Sequence, residues 1–271
     1  MNKMIETSVG KIAISESGSG STSVLFVHGN SSSKAVFSKQ LNSSLAEKYH
    51  LLAIDLPGHG NSDNANNPQQ DYTISSYAKL VCEVVEKLKL SSLVIVGWSL
   101  GGHIAIEAVA QGLDAKAMIL SGTPPVGPGF DHMAEAFHME NMGDTSKAEF
   151  DEDDINNFAD ATIGGAEFVT EELRQAVART DGISRQIMLG ASADPASGSD
   201  QKEFVESWNN PIAVLQGADD VFVQSRYLEG LNWKNLWRGK VQFFENTGHA
   251  PFWQNAEQYN ELLNSFLEDV A

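Results

Sequence analysis

Five short runs made entirely of apolar residues constrain this chain most: Val24-Leu25-Phe26-Val27, then residues 51–54, 93–96, 117–120 and 212–215. A strand with one wet face alternates apolar and polar side chains. An unbroken apolar run between turn residues instead suits a strand covered on both faces, as in a parallel sheet flanked by helices. Between the runs lie helical patterns; in 73–88, Ile74, Tyr77, Leu80, Val81, Val84, Val85 and Leu88 fall on one stripe. Strand alternating with helix predicts right-handed βαβ units and an open, mainly parallel sheet. Residues 11–14, followed by the Gly/Ser run 17–23, read as a further strand and turn, 240–244 as a late strand, and about 253–267 as a closing helix.

The alternation breaks after Leu120. Residues 124–128 (PPVGP) punctuate the chain, and no regular apolar strand run returns before Ile212. The stretch between is too long for an ordinary loop. It holds helical patterns at 148–160 and 168–179, interrupted by Gly164-Gly165 and by the Gly/Ser/Pro segment 190–199. The expected organisation is a core in two parts, 1–124 and 208–271, with 125–207 inserted as a helical cap over the strand ends. No internal repeat is present.

Charge narrows the ligand class. The 18 Lys and Arg against 36 Asp and Glu give a formal net charge of −18, which repels nucleic-acid backbones and anionic membrane surfaces, so neither is an expected partner. Small neutral or cationic molecules are. Residues 125–207 hold 18 of the acidic side chains and only 5 of the basic ones, so the acidity belongs mainly to the insert, expected as a solvated outer face. Cys82, the sole cysteine, rules out an intramolecular disulfide and a cysteine-rich zinc site; its valine neighbours predict a buried helical thiol. The N-terminus has no apolar signal core, and no stretch reaches the ~18 apolar residues of a membrane span. A cytoplasmic protein is the expectation.

The string Gly97-Trp98-Ser99-Leu100-Gly101 follows the apolar run 93–96 and opens a helical pattern. A G-x-S-x-G in that setting makes a sharp strand-to-helix turn that presents a serine nucleophile at the carboxyl edge of the sheet. A serine hydroxyl needs a base. Of the seven histidines only His249, in the loop 246–252, follows a late core strand; His50 reads as a surface residue, His59 as a turn residue, and His103 as packing along the helix. A carboxylate must orient the imidazole. Gln216-Gly217-Ala218-Asp219-Asp220 offers two at a strand end: Asp220 is the stronger candidate by its spacing from the glycine, with Asp219 as the fallback. The order Ser, Asp, His is that of an α/β-hydrolase triad. For the oxyanion, Leu100 N–H stands at a helix N-terminus, and Asn30 N–H, in the loop after 24–27, is the second candidate donor. Trp98 and Asn30 are candidates for touching substrate, although Trp98 reads equally well as a packing residue.

Together, His28-Gly29-Asn30, Asp55-Leu56-Pro57-Gly58-His59-Gly60-Asn61-Ser62, Gly97 to Gly102, Gly217 to Asp220 and Gly248-His249-Ala250-Pro251-Phe252 resemble the α/β-hydrolase superfamily across the whole core. Finer strings are similar to the metal-independent N-acyl-homoserine lactonases of that fold: residues 29–33, 97–104, 121–126, 177–182 and 235–237. The likeness implies an α/β-hydrolase fold with a cap, no cofactor and no metal, and a serine hydrolase that opens the lactone of N-acyl-homoserine lactones, a quorum-signal degrader. It departs at the acid: one such lactonase carries glutamate where this chain has Asp220, one methylene shorter. The alternatives are a general carboxylesterase on short or medium acyl esters and a ligand receptor on the same scaffold.

Overall fold

The computed structural model describes residues 1–127, 129–192, 194 and 197–270. Pro128, which ends the PPVGP string, and residues 193, 195 and 196 of the Gly/Ser/Pro segment lie outside the described residues. Among the described residues eight strands form one sheet: β1 (Asn2–Thr7), β2 (Gly10–Ser17), β3 (Ser23–Val27), β4 (His50–Ile54), β5 (Val94–Trp98), β6 (Ala117–Ser121), β7 (Ile212–Gly217) and β8 (Gln242–Phe244). Their spatial order is β1-β2-β4-β3-β5-β6-β7-β8. The pairs β1–β2 and β2–β4 are antiparallel and the rest are parallel. Every residue of β3, β5, β6 and β7 is buried, the physical reason their sequences are runs rather than alternations.

The two faces of the sheet feed two cores. Leu25, Val27, Ile95, Met118, Leu120 and Val214 point to one side; Val24, Phe26, Val94, Val96, Trp98, Ile119 and Leu215 point to the other, as a period of two requires. Helices α1 (Ile74–Leu88) and α2 (Leu100–Ala110) pack together on the first face. Thr73 caps α1, its side chain accepting the Ser76 N–H, and Lys89 ends it in the left-handed conformation. Cys82 is half-buried on the flank of α1, not buried as its neighbours predicted: the stripe centred on Tyr77, Val81 and Val84 faces the core and leaves position 82 at its edge.

Between β6 and β7 come α3 (Phe130–Ala136), α4 (Glu152–Ile163), α5 (Glu171–Arg179), α6 (Gly182–Ser192) and α7 (Gln201–Ser207). Asp151 and Asp154 form a capping box at the start of α4, and Gly164 ends it at φ 98°; Thr170 caps α5. After β7 follow α8 (Ser225–Gly230), α9 (Pro251–Gln254) and α10 (Ala256–Val270). The closing helix thus comes in two pieces that break at Asn255. Strand β1 and helix α6 were not foreseen. Among the described residues, no helix is long and apolar enough to cross a membrane.

The chain runs from β3 outward to β4, then returns to lay β5 on the other side of β3. That reversal opens a crevice at the carboxyl ends of β3 and β5, the position where open α/β sheets bind ligands. The loops after Val27, Ile54, Trp98, Ser121, Gly217 and Phe244 all leave the sheet at this edge.

Candidate active site

Ser99 stands between β5 and α2 with φ 53° and ψ −123°, a backbone state that costs an L-residue about 1–3 kcal/mol and persists only where its surroundings enforce it. Here the enforcement is visible. Ser99 N–H donates to Ser121 O at 2.9 Å, and its carbonyl accepts from Thr123 Oγ1 at 2.9 Å and from the Gly102 N–H at 2.9 Å. The turn is tight enough that a Cβ on Gly97 would lie 2.4 Å from Gly102 Cα, and one on Gly101 2.0 Å from Val27 O. The flanking glycines are therefore a packing requirement of the serine's own geometry.

Asp220 and His249 meet after β7 and β8. His249 Nδ1 donates to Asp220 Oδ2 at 2.8 Å, with both side chains almost wholly buried. The carboxylate also accepts from Gln216 Nε2 at 2.7 Å and from the N–H groups of Phe222 and Val223 at 2.9 and 3.2 Å. Burial alone would raise its pKa, but the His249 charge and hydrogen bond, the Phe222 N–H and the Gln216 amide outweigh burial and hold it below the ordinary aspartate value. Asp219 is exposed. The His249 ring lies over Gly122, where a Cβ would come within 2.5 Å of Cε1, and makes an edge contact with Phe222. Among the described residues no hydrogen bond joins Ser99 Oγ to that ring.

Ser99, Leu100 and Asn30 line one cavity whose empty volume, its open mouth included, is about 960 Å³. Its walls are largely apolar, with Ile74, Met133, Phe137, Met142 and Met188 among them. Neither the Asn30 nor the Leu100 backbone N–H donates to another group among the described residues. Asn30 is held by its side chain, Nδ2 donating to Thr145 O at 3.0 Å.

Trp98 is a correction to the sequence reading. Expected as a candidate to touch substrate, it is 1% exposed; it shares a face of β5 with Val94 and Val96, opposite in pleat to the cavity. Its ring packs on Phe252 and near His249, and Nε1 donates to His249 O at 2.9 Å. It braces the histidine loop from behind.

Four further residues complete the site, and spacing did not single them out. His28 is fully buried; its Nε2 accepts the Leu56 N–H, so its Nδ1 donates to Gly29 O at 2.7 Å, tying down the loop that carries Asn30. Gln216 links Asp220 to the Gly122 N–H. His103 and Glu107 recur at helical intervals beyond Ser99 and line the cavity; His103 bonds Gln201 Oε1 at 2.7 Å and also packs on Phe137. Lys34 Nζ and Asp55 Oδ2 form a buried ion pair at 2.6 Å beneath these loops. His59 lies in its turn but buried, its pKa pushed down to about 3, first by burial and then by the neighbouring His28. His50, expected at the surface, is half-buried against Glu16. Among the described residues no cluster of three or more His, Cys, Asp or Glu side chains is arranged to hold a metal ion.

A protein-family model described as alpha/beta hydrolase fold matches residues 22–256. A solved structure of a variant of N-acyl homoserine lactonase AidH, complexed with N-hexanoyl homoserine lactone, superposes with a TM-score of 0.95 at 36% identity, covering 100% of this chain and 98% of that one. The AB hydrolase superfamily protein YisY of Bacillus subtilis is 26% identical over 260 residues, 90% of each chain. A 2-hydroxy-6-oxononadienedioate/2-hydroxy-6-oxononatrienedioate hydrolase of Cupriavidus pinatubonensis is 23% identical over 270 residues, 95% of this chain and 90% of its own.

Proposed function

The chain belongs to the α/β-hydrolase family, and from that premise we propose that it hydrolyses the lactone bond of N-acyl-homoserine lactones. The observation that carries the reading is the pairing of a strained Ser99 on the floor of an apolar cavity with a buried Asp220–His249 dyad on the same sheet edge. In the substrate complex His249 Nε2 takes the Ser99 proton as Oγ attacks the ring carbonyl; Asp220 keeps the ring in the Nδ1–H tautomer. The Asn30 and Leu100 N–H groups receive the oxyanion. The ring oxygen then leaves on the proton from His249. Because the ring is a single piece, the alcohol stays tethered to the acyl-enzyme until water, deprotonated by His249, releases the open-chain acid.

The likeness to AidH over the whole chain supports this substrate class, and the apolar walls suit an acyl chain. Residues 125–207 act as the cap that shapes the cavity: Met133, Phe137, Met142 and Met188 all come from it. A dicarboxylate such as the one in the Cupriavidus hydrolase's name suits the site less, because Glu107 stands on the cavity wall and the chain carries a net charge of −18. That same charge, concentrated in the cap, disfavours rebinding of the acid product. A general carboxylesterase would use every residue in the same role. The test is kcat/KM with EDTA present for an N-acyl-homoserine lactone against a simple ester of equal acyl length. A preference for the lactone supports the proposal, preference for the ester replaces it, and inertness toward both points to a receptor.

A further inference from the structure

Arg185, on α6, is a cation in an unusual setting: 2% exposed, with no carboxylate within ion-pair distance among the described residues. Its guanidinium is spent on neutral acceptors. Nε donates to Lys147 O at 2.6 Å, Nη2 to Ala148 O at 3.0 Å and Nη1 to Ser31 Oγ at 3.1 Å, while its plane covers the Phe150 ring at 3.8 Å. Burying a guanidinium is costly unless its donors are satisfied in fixed positions, so these contacts define where the two segments it touches must sit.

One of those segments is the loop that bears Asn30. Ser31 has φ 52°, a left-handed conformation rare outside glycine, and its Oγ, besides accepting from Arg185, donates to Asn30 Oδ1 at 3.1 Å. Asn30 Nδ2 in turn donates to Thr145 O, two residues before Lys147. The bonds close a circuit: Arg185 to Ser31, Ser31 to Asn30, Asn30 to Thr145, and the 145–148 segment back to Arg185. We propose that Arg185 is a positioning residue which, through this circuit, holds the Asn30 N–H aimed into the cavity, so that the inserted helices complete the oxyanion hole instead of merely covering it. The inference rests on the serine-hydrolase reading above.

The test compares Arg185→Lys, Arg185→Ala, Arg185→Met, Ser31→Ala and the Arg185→Met/Ser31→Ala double variant on N-hexanoyl homoserine lactone and on an activated ester, after thermal melts establish which variants fold. An oxyanion donor displaced by a fraction of an ångström loses transition-state stabilisation without losing ground-state binding, so kcat should fall about 10- to 100-fold with KM within about threefold. Because Ser31 and Arg185 act on one donor, the double variant should lose no more than Arg185→Met alone, and low-millimolar guanidinium should restore part of the kcat of Arg185→Ala. Unchanged kcat in the folded variants, losses that multiply, or a change confined to KM would each overturn the proposal. Ser99→Ala separates the two levels: activity surviving in that variant sinks the hydrolase reading, whereas its loss alongside normal kcat in the Arg185 variants sinks only the role of Arg185.

Discussion

Replacing Asp220 with asparagine alters one atom where four hydrogen bonds converge. Oδ1 accepts from two backbone N–H groups, and Oδ2 accepts from Gln216 Nε2 and His249 Nδ1. The asparagine oxygen must therefore stay on the backbone pair, which turns its NH2 toward two donors. Gln216 does not flip to relieve the clash without abandoning the Gly122 N–H that its oxygen accepts at 2.9 Å. His249 is the group that yields. It gives up the Nδ1 proton, carries its proton on Nε2, and has no lone pair to take one from Ser99. The loss expected for the wrong tautomer is ~10⁴ in kcat, about 5 kcal/mol of barrier. The buried mismatch adds about 1–3 kcal/mol of destabilisation, too little to unfold a domain of this size. Steady-state kinetics beside a thermal melt read the two effects separately. Asp219→Asn, at an exposed position, is the internal control and should leave both unchanged. Activity of Asp220→Asn within tenfold of wild type would show that Asp220 does not set the His249 tautomer, and a larger effect at Asp219 would exchange the assignment.

Other consequences follow from buried groups. Trp98→Phe removes the hydrogen bond to His249 O and should cost about 1–3 kcal/mol of stability through an unsatisfied buried carbonyl, with a several-fold fall in kcat; an unchanged melting temperature would show that the indole does not brace the loop. Lys34→Met leaves the Asp55 carboxylate buried without its cation and should destabilise by about 3–5 kcal/mol, measured by urea unfolding; a loss below about 1 kcal/mol would contradict the structural role given to the pair. The unfolded chain protonates its histidines near 6.5, but His59 in the fold resists protonation until about pH 3, and burial lowers His28 and His103 as well. The unfolded state thus binds more protons in this window, so stability is complete above pH 6.5 and drains away as the pH falls, by up to about 1.4 kcal/mol per pH unit for each such histidine. Urea titrations at pH 7.5 and 5 should show the slope, and His59→Gln should reduce it; an identical slope in that variant would remove His59 from the account.

The parallel strands were legible because burial on both faces leaves nothing polar in Val24–Val27 or Ala117–Leu120. Strand β1, with its exposed alternate residues, carries a weaker signal. Helix α6 begins at a glycine and mixes polar residues into its buried face, Ser184 and Arg185 included, so its periodicity is blurred. The expected substrate contact of Trp98 failed for a reason of pleat: a strand's last residue before the elbow points to the opposite side from the nucleophile's cavity. The partners of Asp220, Arg185 and His28 lie up to 154 positions away or in backbone groups, and no local spacing encodes such contacts. The dyad partners themselves were readable, since each follows a core strand in a loop rich in turn residues.

Ser99 is proposed to open a lactone ring. The most direct test is kcat/KM for N-hexanoyl homoserine lactone with EDTA present, measured for the wild-type chain and for folded Ser99→Ala. The wild type should turn the lactone over, and the variant should lose a factor on the order of 10⁴ or more. An inert wild-type protein, or a variant within tenfold of it, would show that Ser99 is not the nucleophile of a lactonase.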